Sequence, residues 1–541
     1  VTHIARWRRA VGILVATTLL AACGSAAGRG DRDTMVIAES LEPKSLNPAL
    51  IEGSLSGLVG GILYSFLLTV DAHGHTVPDA ATEVPTLRNG GISADGLRIT
   101  YHLRHDIRWS DGVPLTARDV VFTFHALMNP RTNVPDRYGL DRIAAITTPD
   151  RYTVVLHLKS RFSMMLDSFL SLPSNYPILA EHVLGSLPDL NHADVERPII
   201  GSGPFTLAGW MHGDHITFAA NPLYFRGRPK LHKLVMRFIP AAQTMIAQLR
   251  THEIDAALQL TDPTLLAQMR SIPGTYVLST PTDGMETLYF NLQTGLTTDL
   301  RLRQAIAMAL DTETIVRRAT RGAIGSGDAL RGQFGDDALP RPVRYDPATA
   351  RRLLEADGWK LGSDGVRVRG DRRLSLTLVD SAQSVLAATI AIQIQQQLRD
   401  VGVDVMIHGY NEQLVKAPAA EGGPLFGNRF DLALVPIYSD AGPFAAQFFI
   451  CSERAPAGFN FARICDRAVD RDFADLLTAN DPVRRDSDAR DIERLLAGDV
   501  PQVPLLQIHT LAAMSDRVHG VAPSPLTPYV GMEKWSIAPE R

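Results

Sequence analysis

The stretch from Leu374 to Ile407 constrains this chain more than any other part of it. Leu374–Val379 is an apolar run of strand length, and Val403–Ile407 is a second one. Between them Leu386, Ile390, Ile394 and Leu398 recur in steps of four, the spacing of one helix face, and Gly402 follows as a stop. Strand, helix and strand in that order return the second strand parallel to the first, because the helix carries the chain back to the starting end. Parallel strands are covered on both faces, so their apolar runs are continuous. The chain is therefore bound to an α/β fold, a sheet with helices layered on it.

The rest of the chain repeats the mixture. Met35–Ala38, Leu234–Phe238, Thr287–Leu292, Phe430–Val435 and Val503–Ile508 read as strands. Arg98–Leu103 and Tyr152–Leu158 alternate polar and apolar residues, as half-buried strands do. Thr116 with Asp119 resembles a capping box, and Val120, Val121, Phe124 and Leu127 continue that helix. Further helices start at Asp299, carrying Leu302, Ala305, Ile306 and Ala309, and at Asp346-Pro347, ending at Gly358. A last helix covers roughly Ala489–Ala497. With 541 residues, the chain has room for about three to five modules. Its 45% hydrophobic and 21% charged content excludes a wholly disordered or polytopic membrane protein. A net charge of −4 gives nucleic acid nothing to bind.

The amino terminus reads as an export signal. Arg6, Arg8 and Arg9 precede the largely apolar Ala10–Leu20, which is too short for a firm membrane span. Leu20-Ala21-Ala22-Cys23 then resembles a bacterial lipobox. Residues 1–22 would be removed, Cys23 would carry the lipid, and residues 23–33 would form a flexible tether. The alternative is an ordinary signal peptide with a chance cysteine. Export also bears on Cys451 and Cys465, an even pair in a loop-rich segment where disulfides persist. They read as a disulfide, with two free thiols as the alternative.

Taken in order, several blocks resemble the family 5 extracellular solute-binding proteins, the peptide and nickel receptors of ABC importers. They are Trp109-Ser110-Asp111-Gly112-Val113-Pro114-Leu115-Thr116, Gly201-Ser202-Gly203-Pro204-Phe205, Asn221-Pro222-Leu223-Tyr224-Phe225, Tyr289-Phe290-Asn291-Leu292, Ala356-Asp357-Gly358-Trp359 and Val401-Gly402-Val403-Asp404-Val405. The resemblance implies a two-lobed, periplasmic-binding-protein-like fold of class II and the large peptide-receptor type, with an extra subdomain in the first lobe. Lobe I would span 34–286 with the subdomain at about 75–200, lobe II 287–507, and 508–541 would return to lobe I. Two strands, near Thr287–Asn291 and Leu506–His509, would join the lobes. The implied partners are a peptide ligand, the membrane through the lipid, and an ABC permease with its ATPases. The receptor itself would be a monomer on the outer face of the cytoplasmic membrane. It would be no enzyme and would need no cofactor.

The resemblance also implies a site. In the family's peptide receptors an Asp beyond the strand matching Phe430–Ala433 binds the peptide α-ammonium, and here that residue is Asp440. Tyr438, Asn291, Tyr64 and Trp210 are further candidates for the cleft. The dipeptide branch of the family has a Trp just before the Asp, where this chain has Ile437 and Tyr438. That branch also has an Arg for the peptide carboxylate, where this chain reads Asp380-Ser381-Ala382-Gln383-Ser384-Val385. Longer peptides, or a haem or nickel-chelate ligand on the same fold, therefore stay open. A secreted hydrolase is the reading from another class, but no zinc-protease, nucleophile-elbow or phosphate-loop motif supports it. His73-Gly74-His75 reads as a turn rather than a metal site.

Overall fold

A computed structural model describes residues 33–50, 54–135, 137, 139–324, 343–382, 384–438, 443–479 and 481–539. The signal segment, Cys23, the tether up to residue 32, and Asp440 lie outside the described residues.

The fold is mixed α/β, built on one ten-stranded sheet. In chain order its strands are β1 (Thr34–Glu39), β2 (Phe205–Met211), β3 (His215–Ala220), β4 (Lys233–Phe238) and β5 (Ala256–Leu260). They continue as β6 (Thr275–Phe290), β7 (Ser375–Ser381), β8 (Asp404–Tyr410), β9 (Leu432–Tyr438) and β10 (Gln502–Ser515). Across the sheet the order is β8-β7-β9-β6-β10-β5-β1-β4-β3-β2. The helices used below are α1 (Ser54–Leu63), α2 (Ala117–Met128), α3 (Leu300–Ala309), α4 (Val385–Asp400), α5 (Arg467–Thr478) and α6 (Pro482–Asp499). Among the described residues no helix is long and apolar enough to cross a membrane.

The β7–α4–β8 unit is the crossover that its apolar pattern predicts, with β7 and β8 parallel. Ser384 Oγ caps α4 by accepting from Ala387 N at 3.1 Å, and Ile390, Ile394 and Leu398 are fully buried. Gly402 takes φ +88°, where a side chain would be strained, and so ends the helix. Both strands run past their apolar cores, because Asp380 pairs with Gly409 and Ser381 with Tyr410. Ladder hydrogen bonds belong to the backbone and do not depend on side-chain polarity. The last helix likewise begins well before its apolar face, at Pro482 behind the Asp481 cap.

Alternation sends side chains to two faces, and each face is covered at both ends of the sheet. At one end Met35, Ile37 and Met514 join a core with Trp109, Phe169 and Trp535, while Ala38, Ala257 and Leu511 pack into a smaller core on the other face. At the opposite end Leu288, Leu376 and Leu434 pack with Ile306 and Ile394 under α3 and α4, while Tyr289, Val379 and Ala433 meet Phe473 and Ile492 of α5 and α6. Strands Arg98–His102, Ile143–Asp150 and Thr153–Leu158 form a separate small sheet beside α2. There Thr116 N donates to Asp119 Oδ2 at 2.8 Å, as the capping pattern predicts.

The largest departure is β6. Its first half contains no long apolar run, and Pro281 and Gly284 read as breakers, yet the strand continues from Thr275 to Phe290. Neighbours on both sides of the breakers hold it extended. Cys451 and Cys465 form a disulfide, with their Cα atoms 4.6 Å apart.

Ile394→Ala should destabilise the chain by about 2–5 kcal/mol, because it empties fully packed space under α4. Ile392→Ala, on the exposed face of the same helix, should stay within about 0.5 kcal/mol. Denaturant melts of both variants check the contrast.

Candidate functional site

Strand direction points to one place in the sheet. β5 runs antiparallel to β10 and β1 runs parallel to β5, so the carboxyl ends of both head toward Leu511 and beyond it toward His509. β9 runs antiparallel to β6, from Leu432 opposite Phe290 to Tyr438 opposite Gly284. β7 and β8 are parallel to β9. The carboxyl ends of β1 and β5 therefore face those of β7, β8 and β9 across the middle of β6 and β10. In open α/β sheets the crevice outside the carboxyl ends is where ligands bind.

At that middle the ladder slips. Pro281 pairs with His509 and Met285 with Gln507, so Thr282, Asp283 and Gly284 stand opposite Ile508 alone. Side chains replace the missing ladder bonds. Thr282 Oγ1 donates to Ile508 O at 2.8 Å and accepts from Gly284 N at 3.0 Å. Gln507 Nε2 donates to Thr282 O at 2.8 Å, and Ser279 Oγ lies 2.9 Å from His509 Nδ1. The expected joining segment is Thr287–Asn291; one register shift precedes it, between Pro281 and Met285, and a second, between Glu286 and Thr287, falls at its start.

The facing edges carry acids. Glu39 ends β1, is 2% exposed, and accepts a hydrogen bond from the Tyr529 hydroxyl. Burial pushes its carboxyl up to about 8, against the pull of that hydroxyl. Glu42, just beyond, accepts from Trp210 Nε1 at 2.9 Å and Gly213 N at 3.0 Å, with His212 Nδ1 at 3.1 Å. Desolvation opposes ionisation, yet these donors hold the Glu42 carboxyl below its ordinary value. On the opposite edge Asp380 is 2% exposed, and its Oδ1 has no partner among the described residues. Burial raises its pKa. Such an edge favours a cationic group on a ligand, which would supply the missing hydrogen bonds and charge.

The expected site residues divide on this map. Trp210 lies near the carboxyl end of β2, half-buried, with its indole N–H committed to Glu42. Tyr438 ends β9 at the slip. Asn291 does not belong there. It lies past Phe290, at the far end of β6, and is fully buried. Its Nδ2 donates to Asn428 Oδ1 at 2.7 Å, Phe430 O at 2.9 Å and Thr294 Oγ1 at 3.1 Å, and its Oδ1 accepts from Gln293 N. Its polar atoms are used in fastening a loop, so no ligand role is left for it. Tyr64 is buried behind α1 and lines cavities walled by first-end residues. Glu39, Glu42, Thr282 and Gln507 escaped the sequence reading; their one signal is position just beyond an apolar strand or beside a strand breaker. Among the described residues no three metal-binding side chains converge. His73 and His75 flank a turn, with His75 Nδ1 3.3 Å from Asp71.

Comparison with known proteins agrees with this geometry. The profile of the bacterial extracellular solute-binding proteins, family 5, matches residues 75–455. Protein XP55 of Streptomyces lividans is 27% identical, over 90% of this chain and 86% of its own. The oligopeptide-binding protein AppA of Bacillus subtilis is 25% identical, over 93% of this chain and 91% of its own. Among solved structures, NikZ of Campylobacter jejuni in complex with Ni(L-His) superposes with a TM-score of 0.76 at 23% identity, covering 93% of this chain and 99% of that one.

Glu39 makes stability depend on pH. The folded chain keeps its proton up to about 8, where the unfolded chain has already lost it, so the stability tied to Glu39 is full at low pH and falls as pH rises through that value. Glu39→Gln should escape this loss. Its melting temperature relative to the parent should rise between about pH 5 and about pH 9, and an equal gap at both would remove Glu39 as the titrating group.

Proposed function

We infer the role of this chain from its kinship: it belongs to family 5 of the bacterial extracellular solute-binding proteins, the non-enzymatic receptors of ABC transporters. Within that role we propose that it captures peptides and delivers them to a membrane permease. Residues 34–286 with 508–541 form one lobe, and 287–507 form the other. The slipped stretch of β6 and β10 is the hinge between them. Ligand enters between the facing strand ends and stabilises the closed form by binding it better than the open one. The Cys23 lipid keeps the receptor, a monomer, on the outer face of the membrane beside its permease.

The observation that carries the peptide reading is the pair of acidic strand ends. Asp440, two residues beyond Tyr438 in sequence, takes the α-ammonium of the peptide. Tyr438 and Trp210 border the same gap. Asp380 stands in the stretch where a dipeptide receptor would carry an Arg for the carboxylate. A buried acid there repels a carboxylate, so the peptide carboxy terminus lies elsewhere and ligands longer than two residues fit. AppA, named as an oligopeptide-binding protein, supports that length.

A second reading is a metal-chelate receptor, favoured by the likeness to NikZ, which was solved with Ni(L-His). Metal analysis of the isolated protein, together with native mass spectrometry of whatever it retains, separates the two.

For the peptide reading, calorimetry with alanine peptides of two to five residues should show the longer ones binding more tightly. Asp440→Ala should weaken them by about thirtyfold or more, the loss expected for one partner of a buried charge pair. Amino-terminal acetylation of the peptide should cost the parent as much and the variant little. Unchanged affinity in the variant would reject Asp440 as the ammonium site.

A further inference from the structure

Away from the hinge, a cavity of about 250 Å³ opens between the hairpin Leu68–Val70/Thr76–Pro78, the turn at Tyr224–Arg226 and the carboxy-terminal segment Gly520–Lys534. None of its walls comes from β6, β7, β9 or β10. It is therefore separate from the gap between the strand ends.

Much of the wall is aromatic, from Tyr64, Phe66, Tyr224 and Tyr529. Three charges are set into it deeply. The side chains of Asp79 and Glu533 are only 10% and 11% exposed, and that of Arg226 is 35% exposed. Asp79 is satisfied: Oδ1 accepts from Arg226 Nη2 at 2.8 Å and Oδ2 from Phe66 N at 2.8 Å. Glu533 is not. No protein group among the described residues donates a hydrogen bond to its carboxylate. Among the described residues its one ion pair is with Lys534 Nζ at 3.9 Å, on a side chain that is 72% exposed. Of these three deep-set groups two carboxylates thus face one guanidinium, and the more exposed Asp71 and Lys534 add one charge of each sign to the wall. A nearly buried carboxylate without a hydrogen-bond donor is costly unless something brings one. Aromatic faces around a carboxylate are the surroundings that an organic ammonium ion prefers, since ring quadrupole and carboxylate both attract it.

We propose that this cavity is a second ligand site that takes a small organic ammonium ion, its charge on Glu533 and its apolar body against Tyr64, Phe66 and Tyr529. Lys534 stands beside Glu533 as a competing cation and is displaced toward solvent when the ligand enters. The site goes beyond the peptide reading and does not depend on it, because the two sets of residues share no member.

The probe is benzylamine, titrated calorimetrically into the full chain, with benzyl alcohol and benzoate as neutral and anionic controls of the same shape. Benzylamine should bind saturably at one site, with benzyl alcohol and benzoate at least about tenfold weaker. Glu533→Gln, which keeps the shape and removes the charge, should weaken benzylamine by about tenfold or more. Lys534→Ala removes the competitor from an exposed position and should tighten it, which keeps the test decisive if Glu533→Gln fails to fold. A saturating alanine peptide should leave the benzylamine affinity unchanged. The proposal is overturned by absence of saturable binding at millimolar benzylamine, which would mean a cavity holding water alone. It is also overturned by equal binding of benzoate, by an unchanged Glu533→Gln, by weaker binding in Lys534→Ala, or by competition with the peptide.

Discussion

Two antiparallel strands hold the molecule together. β6 and β10 pair along nearly their whole length, and among the described residues they contribute to packed cores at both ends of the sheet. Leu511 to Met514 serve one end, and Val503 to Leu506 the other. Between them, from Pro281 to Gly284 and from Gln507 to Thr510, no residue belongs to a core cluster. Gln507, Ile508 and His509 are buried there but join no core cluster, so bending there disturbs less packing than bending through the cores would. The slip has a second effect. It trades repetitive backbone bonds for a few side-chain bonds from Thr282 and Gln507, which can rearrange singly. A further contact lies apart from this pair. Ser163 N and Oγ donate to Leu477 O at 2.7 Å and Leu476 O at 3.0 Å, in the last turn of α5. Carbonyls in a helix's last turn lack i+4 partners inside the helix; Leu476 O also accepts from the C-cap Ala479 N at 3.4 Å, and Ser163 adds donors to both.

The direction of β6 and β10 decides what else meets at the slip. Because the strands on either side run toward it, their carboxyl ends and the loops after them face each other. The ladder is complete without those segments, although Leu46 after β1, Val415 after β8 and Phe449 after β9 pack into cores. Acidic groups can be held there, in low-dielectric surroundings, at the cost of an unfavourable charged form. The raised pKa values of Glu39 and Asp380 express that cost.

The blocks that carry the family resemblance turn out to be fasteners. Gly201 and Gly203 lie so close to the end of α1 that a Cβ on either would collide with the carbonyl of Leu63 or Ile62. Asn221 Nδ2 donates to Gly203 O at 2.8 Å, which ties the third block to the second. Trp109 and Trp359 are buried in different cores. Asn291 does the same kind of work at the far end of β6. Such residues specify a fold through close contacts that few substitutes satisfy. They say little about a ligand, and this is why the same scaffold serves an oligopeptide-binding protein and a protein solved with Ni(L-His).

Local physics made part of this legible from residues alone. The βαβ unit at β7–α4–β8, the Thr116 cap and the helix faces are written in nearest-neighbour spacing, and hydrophobic burial acts on that spacing directly. Strand ends were harder, because Asp380 and Ser381 pair through their backbone and leave no side-chain signal. The course of β6 through Pro281 and Gly284 was hidden for the same reason, since partners over two hundred residues away in sequence hold it extended. Which residues share an edge was beyond reach altogether. Glu39 meets Tyr529, Glu42 meets Trp210, and Asn291 is carried away from the slip, only once the strands have chosen neighbours and direction. Most strands and helices are readable from residues alone, because periodicity within a few turns of chain sets them. Which acids stand at facing strand ends depends on long-range pairing, which no local pattern encodes.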